Sequence, residues 1–423
     1  MMTELQTMTS ANQDAAPPSE RPAGALAGLK VIDVSRVLGG PYSTQILADH
    51  GADVIKIEPP GGDSLRSLSR MPGHPKSDQN YPWLVSSRNK RSLEMDLGKP
   101  EARAVLTRLV ARSDIFITNF PSSVRKKLGV TYHALSALNP NLIYASFTGY
   151  GDHGAEASKP GFDVTAYWAR SGLMDTVRAS AEDVPVRPAN GMGDYPSGVT
   201  LFAAIAMALY RRTQTGRGCE VSSSLIANGI WAGSYVAQAA LCGAEFFDRA
   251  PRARALNALT NYYRCADGKW LILTILNEDK QWADFCAALE VGDLAADPRF
   301  ATRPDRQKRS QELTAILDEA FARKERAYWR QRLNERGIVF DVVTVPEDIP
   351  DDPQLRANAI VIPFADSDQV TITSPLEMTG IDKVQPRMPP GVGQHTDEVL
   401  REIGLDEAAI AQLRASGAVG KGV

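Results

Sequence analysis

The sequence predicts a doubly wound α/β domain joined to a smaller α+β domain. Short apolar runs of strand character alternate with helical stretches from residue 25 to about 215. A hairpin pattern appears only later, near 261–276. At 423 residues the chain is also too long for one ordinary core and long enough for two domains.

The elements follow in order. LKVIDV (29–34) is a short apolar strand. In the stretch after it, Gly39 and Gly40 make a turn, Pro41 suits the first helical position and Gly51 the helix stop. DVIKIE (53–58) is the second strand, so the two strands and their helix form a parallel βαβ unit. In PEARAVLTRLVARS (100–113), Ala102, Val105, Leu106, Leu109 and Val110 share one helical face. DIFITNF (114–120) is a strand, VRKKLG (124–129) a short helix ending at glycine, and NLIYASFTGYG (141–151) a strand running into a glycine-rich loop. The segment 196–218 reads as a buried helix with a basic end and a glycine stop, and 225–243 as a second apolar helix. A linker covers 245–256. NYYRCADGKWLILTIL (261–276) is a hairpin turning at Ala266–Lys269, and 281–289 and 311–324 are helices. Two helices close the chain at 395–404 and 405–417, with Thr396 and Asp406 as expected N-caps.

The expected division is a disordered leader (1–25), a Rossmann-like large domain (26–215), linker helices (216–250), a small α+β domain (251–350) and a return to the large domain (351–423). In such sheets ligands bind at the carboxyl ends of the strands. The turns at 36–41, 58–63, 119–123 and 148–163 are therefore candidate site loops.

Composition narrows the function. A net charge of −3 gives no basic field for nucleic acid or a membrane surface. No apolar run reaches the roughly 18 residues of a membrane span, and nothing resembles a signal peptide, so a soluble cytoplasmic protein is expected. Four scattered cysteines and the histidines show no metal-ligand spacing, so no metal is expected. Gly39-Gly40-Pro41 lacks the dinucleotide GxGxxG spacing, and phosphate-loop, zincin and serine-hydrolase motifs are missing.

The loop 148–172 carries more. Glycines 149, 151, 154 and 161 let the backbone approach a ligand, and Asp163 follows Pro160-Gly161-Phe162 just before an apolar helical stretch. Asp163 reads either as a helix N-cap or as a site carboxylate, and the two are compatible.

Seven segments in order resemble family III CoA-transferases: 26–63, NKRSLEMDLGKPEA (89–102), 114–151, KPGFD (159–163), GDYPSGVTLFAAIAMALYRRTQTGRG (193–218), NYYRCADGKW (261–270) and GQHTDEVLREIGL (393–405). The resemblance implies a homodimer of two interlocked ring-like subunits and transfer of CoA from an acyl-CoA to a small carboxylic acid. It assigns Asp163 as the catalytic carboxylate, passing through a mixed anhydride and an aspartyl-CoA thioester. CoA is then a substrate, with no tightly bound cofactor. Around it the resemblance places Arg36, Lys90, Arg91, Asn119, Phe120, Lys127 (arginine in many relatives) and Tyr150. Some relatives close the site with a glycine run in the small domain, and none occurs between 225 and 350 here. Arg36, as a partner for a second carboxylate, makes succinyl-CoA or another dicarboxylyl-CoA the expected donor. Two alternatives share the scaffold. One is an α-methylacyl-CoA racemase, because His133 lies 30 residues before Asp163, about the racemase spacing. Racemases usually read Gly-His-Asp at the motif, whereas this chain reads Gly-Phe-Asp. The other is a non-catalytic acyl-CoA-binding protein.

Overall fold

A computed structural model describes residues 24–247 and 249–420, so nearly all of the expected leader lies outside the described residues. The chain divides into two compact units. The first holds residues up to Ser171, then Pro188–Gly233 and Asn358 onward. The second holds Gly172–Arg187 and Ser234–Ala357.

The first unit begins β1 (Lys30–Asp33), α1 (Gly39–Asp49), β2 (Asp53–Glu58), α2 (Leu65–Leu68), α3 (Tyr81–Ser87) and β3 (Arg91–Glu94). It continues α4 (Pro100–Val110), β4 (Ile115–Thr118), α5 (Ser122–Leu128), α6 (Tyr132–Leu138) and β5 (Ile143–Thr148). A π-helix (Asp163–Ala169) follows. Then α7 (Leu173–Thr176) falls in the second unit, and α8 (Asp194–Thr215), β6 (Glu220–Ser224) and α9 (Leu225–Ala232) complete the alternating block. The six strands form one parallel sheet in the order β3-β2-β1-β4-β5-β6. The strand order reverses between β1 and β4, which makes their carboxyl ends the switch point.

Alternation along β1 sends its side chains to opposite faces. Ile32 joins a core with Val105, Leu106 and Leu109 of α4, while Asp33 on the other face accepts from Thr44 of α1 at 2.6 Å. Glycines bring α1 and α8 close, since a Cβ on Gly198 would lie 2.9 Å from the carbonyl oxygen of Gly39.

The second unit adds α10 (Ser234–Leu241), β7 (Tyr262–Arg264), β8 (Trp270–Leu273), α11 (Glu278–Ala288), α12 (Gly292–Ala296), α13 (Arg303–Lys308), α14 (Ser310–Phe321), α15 (Arg326–Glu335), β9 (Phe340–Val343) and α16 (Pro353–Ala357). Its antiparallel sheet, β7-β8-β9, shares a core with α11, α14 and α15 around Phe285, Phe321 and Trp329. The hairpin turn carries Gly268 at φ 78°, as its position between the strands requires. The first unit then ends with the antiparallel pair β10 (Val361–Pro363) and β11 (Val370–Ile372), followed by α17 (Thr396–Glu402) and α18 (Glu407–Ala415).

Several local expectations change. Pro41 is the third residue of α1 rather than the first, because the helix already starts at Gly39. The 225–243 stretch is two helices, broken at Gly233, rather than one. Only one face of α8 is buried, at Ser197, Gly198, Leu201, Ile205 and Ala208, while Met207 and Tyr210 are exposed. Thr396 lies inside α17 rather than capping it, and its hydroxyl accepts from Glu94 N at 3.4 Å. Asp406 does cap α18, accepting from Ala409 N at 2.8 Å.

Candidate active site

Asp163 sits where two loops of the first unit meet. Gly149 and Gly161 pack backbone to backbone. A Cβ on Gly149 would lie 2.8 Å from Gly161 Cα, and one on Gly161 would lie 2.9 Å from the Tyr150 ring. Only glycines allow this approach, and it fixes where the chain turns into the π-helix. Phe162 is the N-cap; its N–H donates to Thr165 Oγ1 at 3.0 Å. Asp163 is thus the first helical residue, and its carboxylate does not cap its own helix. This overturns the N-cap reading, because Thr165 already serves that end.

The carboxylate turns instead to the Gly191–Gly193 segment. Gly193 N–H donates to Asp163 Oδ1 at 3.1 Å, and the nearby backbone of Gly191 also favours the charged carboxylate. Gly193 precedes the 22-residue α8, so Asp163 Oδ1 lies at that helix's N-terminal end, where partial positive charge favours an anion. Asp163 is 5% exposed, and among the described residues its Oδ2 has no hydrogen-bond partner. Burial pushes the carboxyl above its ordinary value, and the backbone of Gly193 and Gly191 opposes that rise. Tyr167 lines the same spot, and a Cβ on Gly193 would run into both its ring and Asp163 Oδ1.

A second acid, Asp194, adjoins this carboxylate and escaped the sequence reading. Burial first, and Asp163's charge second, push it up to about 7. The signal available in the sequence was a glycine placed directly before an acid at a helix start, as Gly193-Asp194.

The switch point gathers three of the expected CoA residues. Arg36 follows β1, and Asn119 and Phe120 follow β4. Arg36 N–H donates to Asn119 Oδ1 at 2.9 Å, and Asn119 Nδ2 donates back to Arg36 O at 2.7 Å. The exposed Arg36 guanidinium lies 5.2 Å from the Phe120 ring centre. Both side chains line a cavity of about 130 Å³ with Ile57, Leu97 and Leu128. Lys127, beside Leu128 on α5, is exposed. Tyr150 stands against Gly161, with Lys159 4.9 Å from its ring centre.

Lys90 and Arg91 are placed differently. Lys90 is 4% exposed, and its ammonium donates to Pro41 O and Thr44 Oγ1, both at 2.7 Å, and pairs with Asp33 at 3.5 Å. Burial lowers it to about 8, against the pull of Asp33. Asp33 also meets Lys56, and burial, which raises its carboxyl, is outweighed by the two lysines together with hydrogen bonds from Ser35 and Thr44, which hold it below the usual range. Arg91 is engaged by Asp53, Glu398 and Glu402 at 2.6–2.8 Å. Both cations already have partners within the fold, so a contact to a nucleotide would compete with these.

His133 is exposed on α6 and lines a different recess, with Arg125, Asp152 and Glu220. Among the described residues no hydrogen bond joins it to Asp163.

A parallel sheet with its switch-point pocket, together with a buried carboxylate in a glycine loop, defines an α/β enzyme suited to acyl chemistry on a nucleotide-bearing substrate. The chain belongs to CoA-transferase family III, whose pattern matches residues 26–396. It is 32% identical to the (R)-2-hydroxy-4-methylpentanoate CoA-transferase of Clostridioides difficile, over 93% of this chain and 99% of that one. It is 30% identical to the succinyl-CoA:glutarate CoA-transferase of Mus musculus, over 93% of this chain and 90% of the other. A crystal structure of a CAIB/BAIF family protein from Brucella suis superposes with a TM-score of 0.82 at 29% identity, covering 90% of this chain and all of that one.

Proposed function

We propose that this CoA-transferase moves CoA from succinyl-CoA to a small carboxylic acid through covalent intermediates on Asp163. The observation that carries the reading is the state of the Asp163 carboxylate: buried, with Oδ1 held by the Gly193 N–H and Oδ2 unpartnered among the described residues. An electron pair on Oδ2 attacks the thioester carbonyl. The carbon–sulfur bond breaks, the thiolate departs, and a mixed anhydride remains. The thiolate then attacks the aspartyl carbonyl, releases the first acid and leaves an aspartyl-CoA thioester. The acceptor carboxylate repeats the sequence in reverse. Splitting the exchange in this way replaces one difficult step by easier ones, and burial of Asp163 supports it by limiting hydrolysis of the anhydride.

Arg36, Asn119, Phe120, Lys127 and Tyr150 make up the CoA cleft in this reading. Lys127 supplies a charge to phosphate, and Phe120 with Arg36 supplies a stacking wall. Succinyl-CoA as donor rests on the named activity of the mouse relative. A homodimer of interlocked chains, with residues 251–350 as its small domain, completes the proposal. Exposed apolar side chains such as Met207 and Tyr210 support the dimer.

The test is to incubate the protein with succinyl-CoA and a panel of small acids and follow new thioesters by mass spectrometry. Acceptor-dependent products are expected, and Asp163→Ala should abolish them. Hydroxylamine should trap an acylated Asp163 in the wild type. Undiminished transfer by Asp163→Ala would overturn the assignment.

A further inference from the structure

The loop that leads to Asp163 is tied to the sheet at a buried point. Its base is pinched shut where Gly149 meets Gly161, so residues 150–160 form an excursion whose ends meet. Just inside the pinch, Gly151 turns at φ 90° and donates its N–H to Thr148 Oγ1 at 3.0 Å. Asp152 next reaches back to the fold. Its Oδ1 pairs with Arg125 of α5, and its Oδ2 accepts from Ser146 Oγ of β5 at 3.5 Å.

The backbone of Arg125 is fixed at both ends. Its N–H donates to Pro121 O at 3.0 Å, and its carbonyl accepts from Val130 N at 2.9 Å. Its side chain is 8% exposed, and among the described residues its ion pair is with Asp152, itself 25% exposed. A guanidinium taken out of water needs a counter-charge. Arg125 therefore favours the loop position that brings Asp152 against α5. The loop's other ionic tie is weaker. Glu156 pairs with Lys159 at 2.8 Å and with Arg170 at 3.1 Å, but these three side chains are 40% to 55% exposed, and such pairs contribute little. Arg125 and Asp152 line the recess that holds His133, not the cavity of Arg36 and Phe120. Their place is thus behind the loop rather than at the expected CoA cleft. A buried ion pair is often no more stabilising than a well-packed apolar pair, so what it adds is a specified geometry.

We propose that Arg125 is a positioning residue for the transfer reaction: through Asp152 it fixes the 150–160 loop, and with it the turn that delivers Asp163 to the Gly193 N–H. This rests on the reading of Asp163 as nucleophile. Neither Arg125 nor Asp152 bonds to substrate or exchanges a proton with it.

Two measurements on full-length protein separate geometry from stability. Both use a double variant, Arg125→Met with Asp152→Leu, which removes the two charges together and leaves no unpaired buried ion. Its melting temperature should not fall. In steady-state kinetics with succinyl-CoA and an acceptor acid, kcat should fall about 10²-fold while the KM for acyl-CoA changes less than about threefold, because Arg36, Asn119 and Phe120 stand on other loops. Arg125→Lys, which keeps a charge beside Asp152, should hold kcat within about tenfold of wild type. Hydrogen exchange should quicken about tenfold across 150–160 in the double variant and stay unchanged in β5. Wild-type kcat in the double variant, or unaltered exchange in the loop, overturns the proposal. So does an Arg125→Lys enzyme as impaired as the double variant. A double variant that loses kcat while Asp163→Ala still transfers keeps the tie and removes only the nucleophile reading. Should the double variant fail to fold, Asp152→Asn decides by the same two measurements.

Discussion

At the scale of single residues, what distinguishes this site is how few side chains touch Asp163. A backbone N–H seats it, and backbone is positioned by glycines. Gly193 is the tightest of these, since a Cβ there would strike both Asp163 Oδ1 and the Tyr167 ring. Gly193→Ala must displace one of them. The expected result is a loss of about 10²-fold in kcat and about 1–3 kcal/mol of stability from overpacking, read by kinetics and by chemical denaturation. A fully active alanine variant would mean that the seat is not formed by this segment. The glycine loop marked Asp163 as a candidate, either cap or site carboxylate, and the family resemblance gave it the catalytic role. Asp194 was not marked, because its meaning lies in a neighbour 31 positions earlier in the chain, and an acid at a helix start normally does no more than favour the helix dipole.

At the scale of elements, legibility followed the strength of the hydrophobic pattern. β2 was read with its observed ends, because DVIKIE is buried at five successive positions after its first. β3 was missed: only Ser92 and Leu93 of its four residues are buried, too short a pattern to signal a strand. That omission left the fold partners of Lys90 and Arg91 unread. The family resemblance placed the pair at the nucleotide. Placed at the start of an edge strand, Lys90 points into the Asp33–Thr44 cluster, and Arg91 ties β3 to β2 through Asp53 and to α17 through Glu398 and Glu402. A sequence cannot show which of 50 acidic residues will neutralise a given lysine. The consequence is measurable. Lys90→Met should destabilise the protein by about 3 kcal/mol, near the low end for breaking a buried pair because Lys56 still faces Asp33. The KM for acyl-CoA should not change under conditions where the variant is folded. A tenfold rise in that KM with unchanged melting would return Lys90 to the nucleotide site.

At the scale of the whole molecule, the apolar side chains left in water raise the question of what covers them. In the first unit, Met207 and Tyr210 on α8 and Trp231 on α9 are 69%, 67% and 79% exposed. In the second, Tyr235 and Leu241 on α10 are 89% and 82% exposed, and Phe247 is 89% exposed. Scattered single residues of this kind are ordinary on a soluble surface, but several large ones along consecutive helices are not. α9 and α10 are the apolar stretch the sequence showed, and among the described residues only Leu225, Asn228 and Gly229 of α9 and no residue of α10 are buried. In the dimer proposed above, a second copy would supply cover symmetrically, since a two-fold contact presents the same apolar helices from both sides. The expected outcome in sedimentation equilibrium is a mass twice the 45.9 kDa of one chain, independent of concentration through the micromolar range. Replacing Tyr235 with Glu should weaken the assembly, because an interfacial charge without a partner carries its full desolvation cost. It should also bring down transfer activity in proportion to the dimer lost. A wild-type protein that sediments at the mass of one chain while turning over normally would refute the dimer and leave these helices needing another explanation.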